Sequence, residues 1–218
     1  TIIKFYGYSL VDFDKAPNIT IIMDYATNSS LYALFNSETI PTKYNDTAKQ
    51  IILTGISRGM MLLHENNSIH RDLKPDNILL DQNLFPYISD FGLSKEFEFG
   101  KSFDQSISEG CIQYMAPEML DSTKYNRKAD VYAFAIIMFQ VVTGSIPYKN
   151  VNDIQFCTNI KNGMRPKFEK PIKKSIQNLI EKCWDNDPNK RPSFSMIYKM
   201  LAFNFDEGEE NRNDDDEN

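Results

Sequence analysis

Apolar and β-branched runs at the start of the chain predict two strands. Residues 2–8 read IIKFYGY and residues 19–23 read ITIIM, and both are rich in the side chains that favour strands. A polar segment containing Pro17 separates the two runs and predicts a turn. Because two strands alone form a marginal sheet, we expect them to be the remaining members of a larger one.

Most of the remaining pattern predicts helices. Apolar positions between Ile51 and Leu63 recur every three to four residues, which predicts a helix that opens at Asp46-Thr47 and ends at Asn66-Asn67. The run up to Val142 is apolar on all sides and is followed by Gly144, which predicts a buried core helix. Further helices are predicted at residues 31–35, 153–160, 174–183 and 193–203.

Chemically capable side chains are concentrated in residues 69–92, IHRDLKPDNILLDQNLFPYISDFG. A short polar segment holds Asp72, Lys74 and Asn77, and two apolar runs around a turn at residues 81–83 lead to Asp90. A loop held between buried strands is where a rigid scaffold presents catalytic groups. Residues 93–114 follow with no clear period and predict a long loop, a feature that is usually functional in a compact domain.

These residue types fit phosphoryl transfer. The Asp72 carboxylate can orient and deprotonate a hydroxyl group, and the Lys74 ammonium can offset phosphate charge. The amide oxygen of Asn77 and the carboxylate of Asp90 are hard ligands suited to Mg²⁺. We therefore predict Asp72, Lys74 and Asn77 as catalytic residues, and Asn77 and Asp90 as metal ligands.

Charge and cysteine content narrow the class of protein. The net charge is −6, but residues 206–218 hold eight of the 30 acidic residues, so the rest of the chain is nearly neutral and this tail is predicted to be disordered. Three scattered cysteines without a CxxC pair predict a reducing, cytoplasmic location. No apolar run is long enough to cross a bilayer, and no basic patch with interleaved aromatics indicates nucleic acid.

Three ordered motifs resemble the signature of protein kinases. They are His70-Arg71-Asp72 followed by Asn77, then Asp90-Phe91-Gly92, then Ala116-Pro117-Glu118. The resemblance continues through KADVYAF and DPNKRPSF, which are similar to the tyrosine-kinase-like group of kinases. Lys74 lies two residues after Asp72, and this spacing is the pattern of kinases that act on serine and threonine.

The resemblance implies an α+β kinase fold, mostly the α-helical C-lobe. Residues 1–27 would be residual N-lobe strands and the hinge, residues 28–205 the C-lobe, and residues 206–218 the acidic tail. The implied reaction transfers the γ-phosphate of ATP, with Mg²⁺, to serine or threonine hydroxyls of protein substrates. The residues implied to contact the adenine are Met23, Asp24, Tyr25, Ala26 and Leu79.

The family resemblance also implies two supporting contacts. Asp130 would be the buried carboxylate that accepts hydrogen bonds from the backbone of the catalytic loop. Arg191 would pair with Glu118 of the Ala-Pro-Glu motif. Arg71 implies a basic pocket for a phosphorylated loop, so an upstream kinase could act on a serine of the activation loop. The candidates are Ser102, Ser106 and Ser108.

Two departures from the family pattern limit these expectations. The sequence holds no GxGxxG loop, no lysine of the VAIK type and no matching helix glutamate, because it begins about where the fourth strand of the family would start. We therefore expect the chain alone to be nearly inactive, and the alternative is a pseudokinase or scaffold interaction module without catalysis. Cys111 replaces the usual threonine, which leaves both tolerated drift and redox sensitivity open.

Overall fold

The computed structural model describes residues 1–37, 42–90, 95–96, 112–120, 126–149, 151 and 153–203. Several of the sequence-based predictions fall on other residues. The expectations for Phe91, Gly92, the three activation-loop serines, Cys111 and the acidic tail all lie outside the described residues.

The two predicted N-terminal strands are present. Strand β1 (Phe5–Ser9) pairs antiparallel with β2 (Thr20–Met23), with a bulge near the start of β1. Apolar side chains on both strands remain exposed, among them Tyr8 at 67% and Ile21 at 60%. The sheet therefore buries little of its own apolar surface.

The first three residues are tied to the body of the molecule. Two short strands, β4 (Ile78–Leu80) and β5 (Pro86–Ile88), form the predicted hairpin. The Ile3 N–H donates to the Ile88 carbonyl over 3.0 Å, and the Ile88 N–H donates to the Thr1 carbonyl over 2.9 Å. A Cβ on Gly59 would lie 2.6 Å from the Ile88 Cδ1 atom and 2.9 Å from the Thr1 oxygen, so only glycine permits this approach.

Six helices are present among the described residues, and they lie close to the predicted positions. Their bounds are α1 (Leu31–Phe35), α2 (Asp46–Glu65), α3 (Arg127–Thr143), α4 (Asp153–Lys161), α5 (Lys174–Cys183) and α6 (Phe194–Phe203). Side-chain oxygens of Ser30 and Asn45 accept backbone N–H groups at the starts of α1 and α2. Helix α3 ends at Gly144 in the left-handed conformation, with φ of 69°.

Helix α3 is the centre of the hydrophobic core. Every residue from Ala129 to Val141 is at most 4% exposed. The prediction of a buried core helix is confirmed, and Trp184, which is 6% exposed, also belongs to the core. Among the described helices, none has the length and apolar character needed to cross a membrane.

The remaining described elements are short. Strand β3 (Ser68–Ile69) pairs antiparallel with β6 (Lys95–Glu96), which lies within the stretch predicted as an irregular loop. Two-residue strands carry no periodic signal, so the sequence could not predict this pairing. Single 3₁₀ turns occur at Pro75–Asn77, Ile112–Tyr114, Pro117–Leu120 and Pro188–Lys190.

Candidate active site

The structure brings the three predicted catalytic side chains together at one carboxylate oxygen. The Lys74 ammonium lies 2.8 Å from Asp72 Oδ2. The Asn77 amide donates to the same oxygen over 3.0 Å and to the Asp72 backbone carbonyl over 2.8 Å. The Asp72 carboxylate is thereby held in one orientation by a cation and an amide.

Alternating burial shapes this loop. Leu73 is 2% exposed and Pro75 is buried, so both anchor the loop to the core. Pro75 opens the 3₁₀ turn, where its fixed φ is compatible with a helix start. The Asn77 N–H closes the turn on the Lys74 carbonyl over 3.0 Å. Asp72 and Lys74 therefore stand on the less buried side of the loop.

The buried Asp130 carboxylate holds the backbone that precedes Asp72. It accepts hydrogen bonds from the N–H groups of His70, over 2.9 Å, and of Arg71, over 3.0 Å. His64 Nε2 lies 2.9 Å from the same carboxylate. Because an unpaired buried charge is costly, these contacts account for a carboxylate at 0% exposure. The predicted support role of Asp130 is confirmed, and His64 is a buried histidine whose ring contacts that carboxylate.

Two residues of the candidate site have a strained backbone conformation. Arg71 has φ of 73° and Asp90 has φ of 59°, both in the left-handed region that few residues other than glycine adopt. Such strain persists only where neighbouring contacts hold it, and it is concentrated at functional sites. For Arg71, the hydrogen bond from its N–H to Asp130 is one of those contacts.

The His70 ring connects the catalytic loop to the segment that carries Asp90. His70 Nε2 lies 3.0 Å from the Ser89 carbonyl, and the Asp72 N–H donates to His70 Nδ1 over 3.3 Å. Because a carbonyl only accepts, the proton sits on Nε2 and the lone pair on Nδ1. The ring is fully buried, so it acts as a fixed brace between the residues before Asp72 and Asp90.

Ser89 connects the backbone segments that carry the two predicted metal ligands. The Ser89 N–H and hydroxyl both donate to the backbone carbonyl of Asn77, over 2.9 and 3.1 Å. Asp90 follows directly and is exposed. Since the Asn77 amide nitrogen is committed to Asp72, its oxygen is the atom suited to a cation. Ser89 was not predicted, because its contact with Asn77 spans 12 residues and has no local sequence signal.

No cluster of three or more His, Cys, Asp or Glu side chains that could hold a metal occurs among the described residues. Mg²⁺ commonly takes one or two carboxylates from the protein and completes its shell with phosphate oxygens and water. Asn77 and Asp90 therefore offer an oxygen donor set that fits Mg²⁺ bound together with a nucleotide.

The residues predicted to contact adenine lie at and after the end of β2. The Asp24 N–H donates to the Lys4 carbonyl over 3.0 Å, and the Asp24 side chain accepts from the Tyr6 hydroxyl over 2.7 Å. Tyr25 is 87% exposed and Met23 is 41% exposed. The Asp24 N–H and side chain are thus bonded to Lys4 and Tyr6.

Leu79 lies in the middle of β4, opposite Tyr87. Its neighbours Ile78 and Leu80 are fully buried, whereas Leu79 is partly exposed. Because successive side chains of a strand alternate between faces, Leu79 lies on the face opposite the core.

A bidentate ion pair fixes the Ala-Pro-Glu motif to the helical body. Arg191 Nη1 and Nη2 lie 2.7 and 2.8 Å from the two carboxylate oxygens of Glu118. The Arg191 side chain also donates to the carbonyls of Asp185 and Lys128, and the residue is 1% exposed. The predicted pairing of Arg191 with Glu118 is confirmed.

Comparison with known proteins gives the family of this chain. Residues 1–201 match the family profile described as protein tyrosine and serine/threonine kinase, so the chain belongs to that family. The predicted kinase resemblance and the α+β kinase fold are thereby confirmed. The family as a whole uses ATP and Mg²⁺.

Three proteins named as serine/threonine-protein kinases are similar in sequence to this chain. Serine/threonine-protein kinase STY17 of Arabidopsis thaliana is 33% identical over 189 residues, which cover 86% of this chain and 32% of that protein. RGS domain-containing serine/threonine-protein kinase A of Dictyostelium discoideum is 35% identical over 83% of this chain and 16% of its own length. Serine/threonine-protein kinase VIK of Arabidopsis thaliana is 40% identical over 67% of this chain and 35% of its own length. The chain therefore spans 16% to 35% of these three relatives.

Proposed function

We propose that this chain carries the catalytic loop, the metal ligands and the hinge of a protein serine/threonine kinase. The observation that carries the proposal is the shared oxygen of Asp72, which is held by Lys74 at 2.8 Å and by Asn77 at 3.0 Å. A general base must be oriented before it is useful, and this contact orients a carboxylate beside a cation.

In the proposed reaction, the Asp72 carboxylate orients the serine or threonine hydroxyl of a protein substrate and accepts its proton. The hydroxyl oxygen forms a bond to the γ-phosphorus of ATP, and the bond from that phosphorus to the bridging oxygen of ADP breaks. Lys74 offsets the negative charge of the phosphoryl group during transfer.

Asn77, through its amide oxygen, and Asp90, through its carboxylate, are the residues that would hold Mg²⁺. Bound there, the ion would supply positive charge that offsets the charge of the phosphates. The contact of Ser89 with the Asn77 carbonyl supports this assignment, because it connects the backbone segments that carry the two ligands.

The adenine is assigned to the segment after β2. The Asp24 carbonyl and the Ala26 N–H would pair with the base, Met23 would lie beside it, and Tyr25 would contribute backbone only. Leu79 would contact the face of the ring, because it lies on the exposed side of β4. We propose residues 1–27 as the hinge and N-lobe portion and residues 28–205 as the C-lobe.

Specificity for serine and threonine is supported by the position of Lys74 and by the three relatives, which are named as serine/threonine-protein kinases. Regulation by an upstream kinase at Ser102, Ser106 or Ser108 stays a prediction, since these residues lie outside the described part of the chain. Arg71, immediately before Asp72, is the residue that such a phosphate would approach.

The alternative function, that of a scaffold without catalysis, is tested on the full-length gene product and not on these 218 residues. The 218 residues hold no Gly-rich loop and no VAIK-type lysine, the parts that cover and anchor the phosphates. We therefore predict that the 218-residue chain alone binds Mg-ATP weakly or not at all. Micromolar binding by calorimetry would contradict that prediction.

The test of the proposed function uses the full-length product of the gene. The purified protein is incubated with Mg-ATP and a generic basic protein, and the acid hydrolysate is analysed for phosphoamino acids. We expect phosphoserine or phosphothreonine. A full-length product that transfers no phosphate under any Mg-ATP concentration would favour the scaffold, and phosphotyrosine alone would contradict the assigned specificity.

A further inference from the structure

The segment after the proposed adenine contacts is bonded to strand β4. The Asn28 N–H donates to the Leu80 carbonyl over 2.9 Å, and the Leu80 N–H donates to the Ser29 carbonyl over 2.8 Å. Ser30 lies opposite Leu79 in an antiparallel bridge. Residues 28–30 therefore extend the β4–β5 hairpin on one side, as residues 1–3 extend it on the other.

The Asn28 side chain adds a contact to these backbone hydrogen bonds. Its amide donates to the Asp81 carbonyl over 2.5 Å, 53 residues away, in a partly buried position. The same carbonyl also accepts the Leu84 N–H over 3.0 Å, so both of its lone pairs are used.

The hairpin turn that receives this hydrogen bond is held by its own contacts. The Asp81 carboxylate accepts the N–H groups of Asn83 and Phe85, over 2.8 and 2.9 Å. Such an Asx arrangement stabilises a turn locally. Asn28 is thus joined to a fixed point of the hairpin rather than to a mobile loop tip.

Strand β4 lies between the two ends of the proposed nucleotide site. Asn77, a proposed metal ligand, directly precedes β4, Leu79 lies within it, and Asn28 is bonded just beyond its end. At roughly 3.3 Å per residue, the strand from Asn77 to Leu80 spans about 10 Å. The strand therefore sets how far the adenine end lies from the metal end.

We propose that Asn28 is a positioning residue for ATP, which fixes the hinge segment against β4 and thereby places the base relative to the metal ligands. The proposal rests on the proposed kinase function. Ser29, with φ of 59°, is in a left-handed conformation that needs such contacts to persist. Without the amide donor, the segment that presents Asp24 and Ala26 would lose its side-chain contact with the hairpin.

Two substitutions separate donation from shape. Asn28→Ala removes the donor, and Asn28→Asp keeps the size of the side chain while placing a second acceptor against the Asp81 carbonyl. If only the volume at this position mattered, Asn28→Asp would behave as wild type. Asn36→Ala is the matched control, because the Asn36 amide also donates to a backbone carbonyl, that of Tyr32, in an exposed position.

The experiment measures competitive inhibition of the full-length gene product by adenosine and by inorganic tripolyphosphate. We expect both Asn28 variants to weaken adenosine inhibition about three- to tenfold, the range of one hydrogen bond, with tripolyphosphate inhibition unchanged. The Asn36 variant should change none of these values. A general loss of folding would weaken both inhibitors, so the difference between them is specific to positioning of the base.

Unchanged adenosine inhibition in Asn28→Ala, or wild-type behaviour of Asn28→Asp, would overturn the proposal while leaving the kinase function intact. Absence of phosphate transfer by the wild-type protein would overturn both this proposal and the kinase function.

Hydrogen exchange on the wild-type protein is a second test, and it needs no substitution. Adenosine should slow exchange at the Asn28 and Leu80 amides, and exchange that is the same with and without adenosine would contradict the proposal.

Discussion

The Asn77 side-chain amide donates to the Asp72 carboxylate over 3.0 Å, so a proposed metal ligand also orients the proposed base. Replacing Asn77 by alanine should therefore disturb two functions at once. We expect Asn77→Ala to lower kcat of the full-length product about 100-fold, because a metal ligand and the contact that orients the base are both lost. We also expect the Mg²⁺ concentration for half-maximal rate to rise, which a magnesium titration measures.

Asn83→Ala is the control for this prediction. Asn83 lies in the turn of the same hairpin, where its backbone N–H donates to the Asp81 carboxylate. Its substitution should leave the rate and the Mg²⁺ dependence unchanged. A wild-type Mg²⁺ dependence in Asn77→Ala would show that Asn77 is not a metal ligand.

Arg191 and Glu118 offer a test of stability rather than of chemistry. Removing one partner of a buried ion pair leaves an uncompensated polar group, so Arg191→Ala should lower the free energy of unfolding of the chain by about 3–5 kcal/mol. Arg191→Lys should recover only part of that loss, because an ammonium cannot make the bidentate contact. Urea denaturation measures both values.

The control for this experiment is an exposed ion pair, Lys49 with Asp46. Lys49 Nζ lies 3.3 Å from Asp46 Oδ1, and the aspartate side chain is 98% exposed. Lys49→Ala should therefore change the free energy of unfolding by less than about 1 kcal/mol. If Arg191→Ala cost no more than Lys49→Ala, the buried pair would not be stabilising the fold.

Tyr44 predicts how stability depends on alkaline pH. Its hydroxyl donates to the Val141 carbonyl over 2.9 Å, and burial raises the pKa of Tyr44 above the usual 10.0. The folded chain keeps this proton where the unfolded chain releases it. The free energy of unfolding should therefore fall as the pH rises above 10.0, by up to about 1.4 kcal/mol per pH unit from this group.

Tyr44→Phe removes both the hydrogen bond and the titrating group. The variant should be about 1 kcal/mol less stable at neutral pH but should show a shallower decline at alkaline pH. Burial also raises the pKa values of Tyr132 and Tyr148, so part of the decline will remain. Tyr8→Phe, at an exposed site, is the control. An identical alkaline slope in Tyr44→Phe and wild type would contradict the account.

The sequence predicted elements whose signal is local. Helix α3 follows from a mostly apolar run and a glycine at its end, and the observed helix Arg127–Thr143 stops where Gly144 adopts a left-handed φ. The loop with Asp72 and Asn77 was visible because its residue types are close together in the chain. For these elements, the information lies within a few residues of the structure that it specifies.

Contacts between distant segments could not be predicted in the same way. Nothing near Asn28 indicates Asp81, and nothing near Thr1 indicates that its carbonyl accepts the Ile88 N–H. The start of α2 shows the same limit on a smaller scale. Asp46 was expected to open the helix, and Asn45 is the residue whose side chain accepts the Ala48 N–H, because neighbouring Asn and Asp residues are equally good caps.

The most direct test of the central claim compares two aspartates of one loop. Asp72 lies in contact with Lys74 and Asn77, whereas Asp76 lies in the adjoining 3₁₀ turn and is exposed. In the full-length gene product, Asp72→Asn should lower the rate of phosphate transfer from Mg-ATP to a basic protein by about 10²- to 10⁴-fold. Asp76→Asn should leave the rate near wild type. If Asp72→Asn transferred phosphate as fast as Asp76→Asn, Asp72 would not be the catalytic base.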